Sequence, residues 1–324
     1  MMHLHGRTMK ALLKLFRWQN LVIIILTQVL VRYALIAPLL GQMGLELQLP
    51  LMDFIILVFA TVCITAGGYV INDYFDIKTD LVNRGSVIVG TKIPRRKAMM
   101  WHNVLNVMGV CAGFWISFRI GYFWAGIMFL LISGLLYFYS AAYKKQLLIG
   151  NLIVALLTSL LPLMVALYEI PAVYNYYGNE QISLSQLMIP LQWVTGMAVF
   201  AFLTSLTQEI IKDMEDFEGD KAYGSRSLPV VAGINMTKIF VAVILMITIV
   251  LLFLVWIRYL TDIMSLLYIL ITLILPLLLI SLMVLRSKSI EEFNKANRYI
   301  KIVMLAGISY TVLLWLILER GLTL

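Results

Sequence analysis

Nine of the 17 acidic residues lie in two short stretches, and within each the aspartates repeat one spacing. Asp73, Asp76 and Asp80 form D-x2-D-x3-D, and so do Asp213, Asp216 and Asp220. On a continuous helix, positions i, i+3 and i+7 fall within an arc of about 60°. Each set is therefore expected to present its carboxylates from one helix face. Carboxylates that close repel one another and are costly beside a membrane core. A hard divalent cation removes that repulsion, and Mg2+ usually takes one or two carboxylates together with phosphate oxygens and water. A pair of such clusters suits a diphosphate held through bridging Mg2+. Solvated loop acids would account for either cluster alone, but not for two that match in spacing, depth and sidedness.

Both clusters close an apolar run, and the runs define the elements that must position them. The 324-residue chain is 62% hydrophobic and 13% charged, with mean hydropathy +0.93. Soluble domains carry about 25% charged residues, so a soluble globular protein and a disordered chain are both excluded. A membrane span needs about 20 apolar residues. Apolar runs fall at about 18–40, 53–72, 99–118, 122–140, 147–168, 187–208, 238–257, 263–285 and 300–318. The expectation is an all-α polytopic membrane protein of nine transmembrane helices, organised as a single membrane domain over 1–324. No polar stretch is long enough for a separate soluble domain. The first run continues past Arg32 to Pro38 without a small-residue cleavage site, so it reads as a retained helix rather than a signal peptide.

Charge sets the orientation. The net charge of +8 reads as basic loops beside anionic membrane lipid rather than as a nucleic-acid footprint. With alternate loops assigned to one side, 21 of the 25 Lys and Arg fall there, leaving Arg32, Arg119, Arg258 and Arg320. That asymmetry places the N-terminus in the cytoplasm and the C-terminus outside, with both aspartate clusters on the cytoplasmic side of the cell membrane. Cys63 and Cys111 each sit inside an apolar run and read as core or lipid-facing residues.

The two acidic strings resemble the paired motifs of the UbiA superfamily of intramembrane prenyltransferases, N-D-x-x-D-x-x-x-D at Asn72–Asp80 and D-x-x-D-x-x-x-D at Asp213–Asp220. The string IIKDMEDFEGDKAYGSRSLPVVAG is most similar to the branch containing digeranylgeranylglyceryl phosphate synthases. Further likenesses are R-x-x-N at Arg17–Asn20 and YSAAYKK…GN from Tyr139 to Asn151. The resemblance covers nearly the whole chain. It implies nine helices around a central cavity that opens laterally to lipid, with the diphosphate under cytoplasmic loops. It implies transfer of a polyprenyl group from its diphosphate to a lipophilic acceptor, with Mg2+ as cofactor and Mn2+ as a substitute.

On that resemblance, Asp73, Asp76, Asp216 and Asp220 are the foremost metal ligands and catalytic residues. Asp80 and Asp213 bind metal directly or brace the groups that do. Asn20 and Asn72 are substrate contacts. Lys144, Lys145 and Arg226 are the cations for the leaving diphosphate, with Arg84 and Lys92 behind them. The family commonly continues its first motif as N-R-P-x-R-P, whereas this chain reads Asn83-Arg84-Gly85-Ser86-Val87-Ile88-Val89-Gly90 before TKIPRRK. Lys92, Arg95 and Arg96 are the cations left to serve there. The branch likeness points to a geranylgeranyl group and a prenylglyceryl phosphate acceptor. An aromatic quinone precursor such as 4-hydroxybenzoate is the alternative acceptor. A cation-coupled transporter is the alternative of a different class, and acids grouped at helix ends on one side weigh against it. The pattern of CDP-alcohol phosphotransferases is absent.

Overall fold

The computed structural model describes residues 2–181, 183–260 and 262–319, with the side chains of residues 2–8, 83–84 and 179–181 outside the description. The described residues are helical, with one isolated bridge between Val89 and Ile93. An amphipathic α1 (Met2–Leu15) precedes α2 (Trp18–Gly41), α3 (Leu51–Phe75) and the short α4 (Ile77–Arg84). Then come α5 (Arg95–Arg119), α6 (Phe123–Ala141), α7 (Ile149–Gly178) and α8 (Leu184–Glu215). The short α9 (Phe217–Ala222) and α10 (Leu228–Ala232) lead to α11 (Ile234–Tyr259), α12 (Ile263–Arg286) and α13 (Ile290–Glu319).

Eight of these helices are long and apolar enough to cross a membrane. The ninth expected span, α5, has the length at 25 residues but carries His102, Asn103 and Asn106 in its first half. Two of those polar groups are satisfied inside the protein. His102 Nδ1 lies 3.0 Å from the Gly67 carbonyl, and Asn106 Nδ2 donates to the His102 carbonyl at 2.8 Å. Internal hydrogen bonding of this kind makes polar residues tolerable at membrane depth.

The chain divides into two compact units, Met1–Gln28 with Leu49–Gly150 and Glu218–Gly224, and Val29–Gln48 with Asn151–Phe217 and Ser225–Leu324. In the first, α3 and α5 pack closely because small residues face each other. A Cβ at Gly109 would lie 2.9 Å from the Ala60 carbonyl oxygen, and one at Gly67 2.5 Å from Asn106 Nδ2. Only glycine permits that approach. Leu15 of α1, Val70 of α3, and Val89, Ile93 and Ala98 share a buried apolar cluster. The stretch between α4 and α5 is therefore anchored by its own side chains, and the Gly90 amide closes onto the Ile93 carbonyl at 2.8 Å.

In the second unit, α8 packs against α13, where a Cβ at Gly307 would strike the Phe200 ring at 2.2 Å. A buried ion pair joins α2 to α7, with Arg32 Nε 2.9 Å from Glu169 Oε2 and side-chain exposures of 3% and 0%. The other carboxylate oxygen of Glu169 accepts from the Gln48 amide at 2.7 Å. Around Arg32 the helix widens to a π turn, with the Ala37 amide donating to the Arg32 carbonyl. Insertions of this kind change the facing of the residues that follow.

Candidate functional site

The aspartate triads do not each lie on one continuous helix, as the spacing predicts. Each spans a joint, and the joint is the middle aspartate. Asp76 ends α3 with φ −85° and ψ 3°, and α4 begins at Ile77. Asp216 ends α8 with φ −88° and ψ 8°, and α9 begins at Phe217. Both amides still close a helical bond, Asp76 onto the Asn72 carbonyl at 3.0 Å and Asp216 onto Lys212 at 2.9 Å. The turn therefore begins after the nitrogen of the middle aspartate. Two helices ending in one backbone state at equivalent positions make the triads structural equivalents as well as matching strings.

At the first joint, cations and an amide hold the carboxylates. Arg17 Nη2 lies 2.9 Å from Asp73 Oδ1. Lys144 Nζ and Asn72 Nδ2 both donate to Asp76 Oδ2, the amide at 2.8 Å. Asn72 thus braces an aspartate one turn on. Asp76 is buried, and the Asp73 side chain keeps 15% of its surface exposed. The Arg17 guanidinium also stacks over Tyr69, 4.8 Å from the ring centre, and the Tyr69 hydroxyl accepts from Asn20 Nδ2 at 3.3 Å. Arg17 sits between α1 and α2 with φ 51°, a left-handed backbone uncommon outside glycine. Asp80 lies on α4, its amide closing onto the Asp76 carbonyl.

At the second joint, two amides donate to carboxylates. Asn151 Nδ2 donates to Asp213 Oδ2 at 2.8 Å, and Asn297 Nδ2 to Glu215 Oε1 at 2.7 Å. The Asp216 side chain makes no hydrogen bond or ion pair among the described residues. Asp220, on α9, falls with the first compact unit, while Asp213 and Asp216 fall with the second.

The cations predicted from sequence separate. Lys144 reaches Asp76, but Lys145 beside it is exposed, as is Lys92. Arg226 is exposed between the buried Ser225 and Ser227. The Arg84 side chain lies outside the described residues. Sequence reasoning set Arg17 and Asn151 within matching strings without giving either a role. Their signal was R-x-x-N and the GN that follows YSAAYKK.

Among the described residues no three His, Cys, Asp or Glu side chains converge as a metal cage. Each joint instead offers one or two carboxylates, hard oxygen donors in the number Mg2+ takes when phosphate and water complete its octahedron. Mg2+ with a diphosphate fits that donor set, and an all-protein metal centre does not.

The sequence pattern of the UbiA prenyltransferase family matches residues 34–305. A digeranylgeranylglyceryl phosphate synthase of Pyrococcus horikoshii is 33% identical over 221 residues, 68% of this chain and 71% of that protein. A solved structure of digeranylgeranylglyceryl phosphate synthase superposes with TM-score 0.63 at 24% identity, covering 94% of this chain and 99% of that one. A UbiA homologue from Archaeoglobus fulgidus, solved with GPP and Mg2+, superposes with TM-score 0.56 at 16% identity, covering 93% of this chain and 99% of that one. At those identities the two structures speak for the fold.

Proposed function

This chain belongs to the UbiA prenyltransferase family, a multi-pass membrane enzyme that transfers a prenyl group, and from that premise we propose that it moves a geranylgeranyl group from its diphosphate to the free hydroxyl of a prenylglyceryl phosphate. The observation that carries this reading is the likeness to a digeranylgeranylglyceryl phosphate synthase at 33% identity over 68% of the chain. The family match spans both compact units, in keeping with residues 1–324 serving as one catalytic domain. The N-terminus and both joints face the cytoplasm, and the C-terminus, outside the described residues, faces out.

Asp73, Asp76, Asp216 and Asp220 hold Mg2+, for which Mn2+ substitutes, and Asp80 and Asp213 support them. When bound, the metal compensates the charge that builds on the departing diphosphate. The chain's own residues do the rest. Lys144 and Arg17 bring positive charge to the carboxylates of the first joint, where it also meets phosphate oxygens. Asn72 and Asn151 fix the carboxylates they donate to, so that little reorganisation is needed as charge develops. Arg226, Lys145, Arg84 and Lys92 supply further positive charge, and Asn20 holds Tyr69 in place beneath Arg17. The carbon–oxygen bond to diphosphate breaks, the allylic carbon bonds the acceptor hydroxyl oxygen to form an ether, and the hydroxyl proton leaves to solvent.

The test offers purified enzyme geranylgeranyl diphosphate with geranylgeranylglyceryl phosphate and 4-hydroxybenzoate in competition, and reads the products by mass spectrometry. The expected product is the diether phosphate. Prenylation of the aromatic acid alone would overturn the acceptor assignment and leave the prenyl transfer standing. Orientation is checked by cysteines placed at Gly178 and Gly90, the first labelled from outside intact cells and the second protected.

A further inference from the structure

Arg95 and Arg96, expected from the sequence to serve at the diphosphate loop, form the head of a groove at the first turn of α5. A cavity of about 620 Å3 is lined by Arg95 and Arg96, by Tyr74, and below them by Met99, Met100, Asn103 and Val104. Arg95 and Arg96 are exposed, and neither makes an ion pair or hydrogen bond among the described residues. Lys92 and Lys97 flank them, so four cations fall within six residues with no acid among them. The helix begins after Pro94, which provides no side-chain cap. The first amides of a 25-residue helix therefore point to the same end as the two guanidinium groups, and helix N-termini of this kind favour anions.

Below that head the surface turns apolar along one helix face. Met100, Val104 and Met108 follow Arg96 at successive steps of four, with exposures of 51%, 41% and 44%. From Arg96 to Met108 is about 18 Å along the axis at 1.5 Å per residue, close to the length of a lipid chain in one leaflet. Asn103 interrupts this face about two turns down. It is exposed and makes no hydrogen bond among the described residues. A bare amide facing hydrocarbon is costly, and the ester or ether oxygens of a lipid would satisfy it.

We infer that this groove is a seat for one anionic bilayer phospholipid, its headgroup phosphate between Arg95 and Arg96, its glycerol oxygens at Asn103 and one chain along Met100, Val104 and Met108. The cluster of cations favours an anionic headgroup over a zwitterionic one, whose own cation it repels. The apolar face below selects a lipid over a free phosphate. Tyr74, in the same wall, lies between Asp73 and Phe75, so the seated lipid touches the helix end that carries the first joint. The seat stands whatever acceptor the enzyme uses.

The experiment reconstitutes the full chain in nanodiscs of phosphatidylcholine with a minor share of phosphatidylglycerol. It measures by native mass spectrometry the lipid retained after release into detergent. Wild type is expected to keep one phosphatidylglycerol in preference to phosphatidylcholine. The double variant Arg95→Gln/Arg96→Gln is expected to lose about 30-fold in that preference, at roughly fivefold for each basic residue near an anionic surface. Val104→Trp, which fills the groove and leaves the charges in place, is expected to lose retention as well. Lys10→Gln/Lys14→Gln, on another helix, is expected to retain the lipid. Equal retention by wild type and the Arg95/Arg96 variant would overturn the inference, as would loss in the control equal to that in the test variant. Displacement of the lipid by inorganic phosphate at matching concentration would also overturn it, showing a free-anion site.

Discussion

The two joints share a backbone and differ in what holds their carboxylates. At Asp76 and Asp216 the chain adopts nearly one pair of dihedral angles, φ −85° and ψ 3° against φ −88° and ψ 8°. Yet Asp73 and Asp76 receive Arg17 and Lys144, while Asp213 and Glu215 receive the neutral amides of Asn151 and Asn297. A carboxylate already beside a cation gains less from a metal ion, because part of its charge is compensated. The comparison assigns different emphases to two copies of one device. On the proposed function both joints hold metal, and the first adds cations that also meet the diphosphate.

The largest effects test what the joints have in common. Asp76→Asn and Asp216→Asn are each expected to lower turnover by at least about 100-fold, the scale on which electrostatic stabilisers act. Asp73→Asn and Asp220→Asn should behave alike. Folding should persist in all four, read by the unfolding midpoint, since the changes lie at helix ends. Excess chelator should abolish activity in the parent enzyme, and full turnover in its presence would remove the metal from the scheme.

The difference between the joints is sharpened by one variant on each side. Lys144→Met is expected to raise the KM for prenyl diphosphate by about tenfold or more, the value of a hydrogen bond to a charged group. Its half-saturating Mg2+ should stay near the parent value. Asn151→Leu is expected to do the reverse, weakening Mg2+ by about tenfold through loss of a group that orients a ligand. Titrating each variant against both metal and diphosphate decides the matter, and exchanged responses would break the comparison. The smallest effect is expected at Lys145. Its exposed charge adds little, so Lys145→Gln should change kcat/KM by less than about threefold, in contrast to its neighbour.

Much of the fold was legible because hydrocarbon enforces it. Uninterrupted apolar runs have no stable alternative to helices in a bilayer, and eight of the nine expected spans meet that description. The ninth was legible by length although diluted by His102, Asn103 and Asn106. The joints were not legible. No Gly or Pro marks Asp76 or Asp216, and i, i+3, i+7 spacing reads as one helix face whether or not the helix continues. The partition of the basic residues was hidden as well. Lys144 and Lys145 are indistinguishable as a pair of letters, and only the short turn that carries them decides which one meets Asp76. The anchoring of 85–94 through Val89 and Ile93 was equally out of reach, since two branched residues in a polar loop carry no periodic signal.

The ion pair between Arg32 and Glu169 has a consequence for how the protein is made. Its halves are 137 residues apart, so during synthesis Arg32 is delivered to the membrane in the first span well before its counter-ion exists. At about 5–20 residues per second, roughly 7–27 s separate the two. An arginine inside an isolated span costs up to about 2.5–3.5 kcal/mol on insertion scales, the most at its centre. The nascent first helix must therefore sit shifted toward an interface, or stay with the insertion machinery, until α7 arrives. Arg32→Leu should let that helix settle early while leaving Glu169 stranded later. The same residue thus delays the start of membrane assembly and locks its finished state.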